Sequence, residues 1–178
     1  MRMSAINFTA LPKAIHCTAT DMKAATIQEI KKELNTIPAS GLVDLCLRLA
    51  RFKKESKELL TYLLFNAHDE QEFVNSIKTE IDENFAEINQ SHMYYAKKSL
   101  RKILRIINKY CRYSNVTETE AALRIHFCSA LKESGISIRR DKMISKLYQT
   151  QLVKIKTLVA SLHEDLQYDF ERALKELE

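Results

Sequence analysis

The sequence predicts an all-α protein of seven to eight helices, and three observations carry that prediction. Its 178 residues include only two glycines and two prolines, too few to punctuate the turns of a sheet. Four polar residues stand three positions ahead of a glutamate, in "TIQE", "DEQE", "TETE" and "SLHE", each the signature of a capped helix start. Between these starts apolar residues recur at helical spacing, and no segment alternates as a strand does.

The elements follow in order. Thr26 with Glu29 opens the first helix, and Pro38 in "NTIP" ends it by biasing Ile37 toward extended backbone. A second helix runs from about Ala39 to Phe52 on the repeat Leu42, Leu45, Leu49 and Phe52. The third, about Lys54 to Asn66, contains the dense block "ELLTYLLF", expected to be buried on most sides. Asp69 with Glu72 caps a fourth helix whose stripe is Phe73, Ile77, Ile81, Phe85 and Ile88. Ser91 opens the fifth, which continues to about Tyr113. Thr117 with Glu120 caps the sixth, to about Glu133, and Gly135 suits the left-handed turn that follows a helix. The seventh spans about Ile138 to Ala160, with Ile144, Leu147, Tyr148, Leu152, Ile155 and Leu158 on one side. Ser161 with Glu164 caps the last, which ends near Leu177.

Asp69 and Thr117 lie 48 residues apart, and each opens a helix pair with a basic second member. That spacing suggests stacked antiparallel helical hairpins of the HEAT-like kind, whose repeats run about 40–47 residues. A compact multi-helix bundle is the alternative packing. Residues 22–178 read as a single helical domain, long enough to bury its own core. Residues 1–21 read as a loosely ordered leader, because Pro12, Lys13 and His16 interrupt any signal-peptide core and Met22 offers an alternative start. No apolar run approaches the roughly 20 residues of a membrane span. Cys17, Cys46, Cys111 and Cys128 lack CxxC spacing and read as free buried thiols, which suits a cytoplasmic setting.

Catalytic signatures are missing. With glycine only at 41 and 135, there is no phosphate-cradling loop and no dinucleotide fingerprint. The five histidines form neither HExxH nor ExxH, and His126 and Cys128 point about 200° apart on a helix. His68 falls just outside the helix that Asp69 caps, away from Glu72. In "LHEDLQYD" the acids suit the first turns of a helix, where the dipole favours them, better than a His–carboxylate site. The expectation is no enzyme, no catalytic residue, no metal and no cofactor.

Charge is more informative. Residues 69–90 hold seven acids and one lysine, and residues 91–113 hold seven bases and no acid. In "KKSLRKILRIINKYCR" the bases Lys97, Lys98, Arg101, Lys102, Arg105, Lys109 and Arg112 share one arc of about 140° on a helical wheel. Ala96, Leu100, Ile103, Leu104, Ile107, Tyr110 and Cys111 take the opposite side, Tyr94 projects into the basic arc, and Tyr95 lies at its edge. Arg139, Arg140, Lys142 and Lys146 form a possible second patch. Such a ridge suits a phosphate backbone. The simplest reading is an ordinary solvated face, or one neutralised in place by the acids of residues 69–90; an acidic protein partner and an anionic membrane surface are further readings.

Two resemblances bear on this reading. "TIQEIKKELNTIPASGLVDLCLRL" resembles the helix–loop–helix of SAP-type DNA-binding modules. "RFKKESKELLTYLLF" and "LHEDLQYD" are similar to segments of a family of small helical bacterial proteins with no assigned activity, a likeness covering about Met22 to the C-terminus. It implies a bacterial cytoplasmic protein and supplies no catalytic residues. The expectation is a non-enzymatic binding or interaction protein, of unspecified oligomeric state. The alternative is a nucleic-acid-associated protein that uses residues 97–112.

Overall fold

In the computed structural model, residues 23–89 and 92–177 are described. The leader reading and Ser91 lie outside them. The chain divides into two units, 1–45 and 46–178.

The described part of the first unit contains α1 (Ile27–Leu34) and the first half of α2 (Ala39–Phe52). Thr26 and Glu29 form the expected reciprocal capping box, with Thr26 N donating to the Glu29 carboxylate at 2.7 Å. No side chain of α1 or α2 is buried. The apolar repeat along α2 is therefore helical but open to water.

The second unit holds the core. After α3 (Lys54–Thr61) the chain enters a π-helical turn, Tyr62–Asn66, closed by Ala67 N donating to Tyr62 O at 2.9 Å. Burial of "ELLTYLLF" is limited to one face: Tyr62 is buried, whereas Leu63, Leu64 and Phe65 are 57%, 63% and 66% exposed. The expectation of burial on most sides fails because α4 and α5 meet this segment on one side only, and the wider π turn carries the next three side chains outward.

The remaining helices are α4 (Glu70–Ala86), α5 (Met93–Ser114), α6 (Thr117–Glu133), α7 (Lys142–Val159) and α8 (Glu164–Leu177). The stripe Phe73, Ile77, Ile81, Phe85 and Ile88 is buried throughout. So are Ala96, Leu100, Ile103 and Ile107 opposite the basic arc, and Ile144, Tyr148, Leu152 and Ile155 of α7. No strand occurs among the described residues.

Side-chain pairs give the topology. Helices α4 and α5 are antiparallel, with Glu70 bonded to Ser114 and Phe73 edge-on to Tyr110. The next hairpin, α6–α7, stacks on the first in parallel. Asp82 meets His126 and Phe85 meets Phe127, 44 and 42 residues on. Lys97 meets Asp141 and Arg101 meets Met143, again 44 and 42 residues on. Lys132 Nζ reaches Glu176 O at 2.7 Å, which extends a 44-residue spacing to α8 and caps its C-terminal end. Helix α6 lies against α4, α5, α7 and α8. This is an all-α multi-helix bundle of stacked hairpins.

Three helix starts differ from the sequence reading. Thr117 is the first helical residue of α6, Val116 takes the cap position, and no side chain caps it. Glu120 is drawn elsewhere, as described below. The hydroxyl of Ser161 turns back to Leu158 O at 2.7 Å, so it closes α7 rather than opening α8. Helix α7 begins only at Lys142, where Asp141 accepts from Met143 N and Ile144 N. Arg139 and Arg140 thus sit in the turn before it. Gly135 takes the expected left-handed conformation, φ 74°, and Asn115 does likewise at φ 55°.

Candidate functional site

Helix α5 is amphipathic along its whole length, and its apolar face is fixed by α4 and α6 beneath it. The opposite face is thereby held to solvent. The acids of α4 do not neutralise it. Glu70 accepts hydrogen bonds from Tyr62, Ser114 and Thr119, Glu80 from Tyr110 Oη at 2.8 Å, and Asp82 lies 2.7 Å from His126 Nε2. No base of the ridge pairs with an α4 acid among the described residues.

Neutralisation comes instead from other helices, at Lys97 and Lys109 among the described residues. Lys97 Nζ lies 2.6 Å from Asp141 at the start of α7. That hydrogen bond, joined by two amide donors, holds the Asp141 carboxyl below its ordinary range. Lys109 Nζ lies 3.0 Å from Glu58 of α3 and 4.5 Å from the centroid of the Tyr110 ring. The Lys109 hydrogen bond likewise keeps Glu58 below the ordinary carboxylate value. Lys98, Lys102 and Arg105 are exposed and have no acidic partner among the described residues. Arg112 makes only a local bond to Asn108 O, and Arg101 only a 3.8 Å contact with Met143 Sδ.

The pairs Lys97–Asp141 and Arg101–Met143 also join the two predicted patches. They set the first half of α5 beside the start of α7, so Arg139, Arg140, Lys142 and Lys146, all exposed, continue the ridge sideways. Asp141, which caps α7, is an acid within this joined surface.

Tyr94 and Tyr95 are 72% and 50% exposed, with ring centroids 5.5 Å apart at 77°. The His92 ring lies 6.1 Å from that of Tyr95.

Beneath the ridge lies a polar cluster that sequence reasoning missed. Arg124 of α6 is 3% exposed. Its guanidinium donates to Glu120 Oε1 at 2.8 and 2.5 Å, to Gln151 Oε1 at 2.6 Å and to Asn108 Oδ1 at 2.8 Å. One side chain thus ties α5, α6 and α7 together. The available signal was the i, i+4 pair Glu120–Arg124, which competes with the capping reading of the same glutamate. Nearby, burial pushes the thiols of Cys111 and Cys128 up to about 12, so both are held neutral.

Other polar groups are accounted for. His163 and Asp165 are exposed neighbours 3.4 Å apart at the start of α8. No group of three His, Cys, Asp or Glu among the described residues is placed to hold a metal ion. A groove of about 560 Å³ lies over Ala122, Ile125 and Ser129 of α6, and a second of about 460 Å³ lies between α3 and the α4–α5 hairpin. Among the described residues no buried side-chain nitrogen or oxygen lacks a partner, so neither groove holds an unsatisfied buried group. No described helix is long and apolar enough to cross a membrane.

The chain matches no protein-family model, no curated protein and no solved structure.

Proposed function

We propose that the protein is a non-enzymatic helical binding protein whose α5–α7 basic face engages the phosphate backbone of a nucleic acid. The observation that supports this most is that five of the seven ridge bases have no acidic partner among the described residues. Acids meet only Lys97 and Lys109, and the second patch extends the surface instead of opposing it. From Lys98 to Arg112 the ridge is about 21 Å long at 1.5 Å per residue, enough to span several phosphates. The bacterial cytoplasm is the setting proposed with it, on the resemblance to small helical bacterial proteins.

Salt titration with duplex DNA, single-stranded DNA and RNA tests the reading. Log affinity should fall linearly with log salt, by about 0.7–0.9 per phosphate contacted. Replacing Lys98, Lys102 and Arg105 together by Gln should make that slope shallower by about 2. Replacing Lys175 on the acidic helix α8 by Gln should leave it unchanged. Absence of binding to all three at low salt would remove nucleic acid and leave an acidic protein as the partner of the ridge.

A further inference from the structure

We propose that the ridge takes an unpaired strand in preference to a duplex, and that Tyr94 and Tyr95 are the platform on which its bases stack. This rests on the phosphate-binding reading and names the class of nucleic acid.

The tyrosines divide sharply. Tyr62, Tyr110, Tyr113 and Tyr148 lie wholly or largely inside the core, and each hydroxyl donates a hydrogen bond, to Glu70, Glu80, Glu58 and Leu177 O. Tyr94 and Tyr95 keep neither kind of partner. Their hydroxyls have no hydrogen-bond partner among the described residues, and their aromatic neighbours there are each other and His92. Tyr168 is also exposed, but it lies on acidic α8, whereas Tyr94 and Tyr95 stand on the basic helix.

Position gives the pair its meaning. On the wheel Tyr94 coincides with Arg112 at the centre of the basic arc, and Lys98 and Arg101 follow it at i+4 and i+7 on the same face. Helical side chains lean toward the N-terminus, so Lys98, one turn on, lies on the Tyr94 side of the helix. An aromatic ring beside a row of open bases matches the two demands of a single strand, a charged track for phosphates and a π-face for bases. A duplex satisfies only the first, because its base faces are hidden within the stack. The steeply tilted arrangement of the rings, 77° between Tyr94 and Tyr95 and 67° between His92 and Tyr95, leaves ring faces available rather than sealed against one another.

The test uses the full chain with a single-stranded oligonucleotide and the matching duplex at one low salt concentration. The single strand should bind more tightly. Tyr94→Ala should weaken it roughly ten-fold or more, leave duplex affinity within about two-fold and leave the salt slope unaltered, because stacking contributes without phosphate neutralisation. Tyr94→Phe should retain the affinity, since the ring and not the hydroxyl is used. Tyr168→Ala, which removes a tyrosine 74% exposed on acidic α8, should change nothing. The chain has no tryptophan, so quenching of tyrosine emission by the strand reports the contact directly. Equal affinity for duplex, or equal losses on both substrates in Tyr94→Ala, overturns the inference. If both substrates bind and respond to Lys98, Lys102 and Arg105 but not to Tyr94, the platform falls and the phosphate reading stands. If neither binds, both fall.

Discussion

Glu70 shows how much one carboxylate contributes when its hydroxyl partners converge from several elements. It accepts from Tyr62 Oη at 2.7 Å, from Thr119 Oγ1 at 2.6 Å and from Ser114, and so joins the π turn, α5 and α6 at one point. Burial alone would raise its pKa, but the three hydroxyls outweigh burial and hold it below its ordinary 4.5. A depressed carboxyl contributes stability that is present above the ordinary value and lost as pH falls through the folded one. Glu70→Gln should therefore cost about 1–3 kcal/mol near neutral pH, and the gap to the parent should close as pH is lowered past the ordinary 4.5 and through the depressed folded-state value. Urea midpoints near neutral pH and below that folded-state value check this, and a gap of constant size would show that the charge is not what matters. None of these partnerships was legible in the sequence. Glu70 read only as a first-turn acid, and Glu120 only as a cap, because burial of Arg124 depends on three helices meeting.

At the scale of elements, periodicity carried the reading well and local caps carried it unevenly. The buried stripe of α4 and the two-sided pattern of α5 lie where the wheel puts them, since burial selects residue type along a whole face. Caps involve one or two hydrogen bonds, and rival partners displace them. Ser161 bonds the end of α7, and Asp141, an acid cap without a glutamate three residues on, sets the start of α7 four residues later than the hydrophobic pattern suggests. The exit from α6 was legible, because Gly135 at φ 74° is where a side chain would be strained. A Cβ built there meets nothing within 4 Å, so the cost of adding one is backbone conformation alone. Gly135→Ala should destabilise the protein by about 1 kcal/mol without altering its structure, measured by urea unfolding with circular dichroism. A loss several times larger would mean that the turn carries packing as well.

For the whole molecule, the 48-residue spacing of two expected helix starts, Asp69 and Thr117, anticipated a stacked architecture, and the 42–44-residue spacings between stacked helices bear it out. What the sequence could not supply was which acids meet which bases, because that depends on how parallel neighbours are set along one another. Every buried side chain among the described residues lies between Tyr62 and Leu177. A chain of residues 46–178 should therefore unfold in one cooperative transition, within a few degrees of the full chain, by calorimetry. A fragment with no such transition would place part of the folding energy in residues 1–45. The outward turn at Leu63, Leu64 and Phe65 also governs how molecules meet each other. Three adjacent apolar side chains in water form an adhesive patch, and a formal charge of +5 at pH 7 is what keeps cationic copies apart. As pH climbs toward the isoelectric point near 9.0 that mutual repulsion fades, so the colloidal stability of this protein is weakest under alkaline conditions.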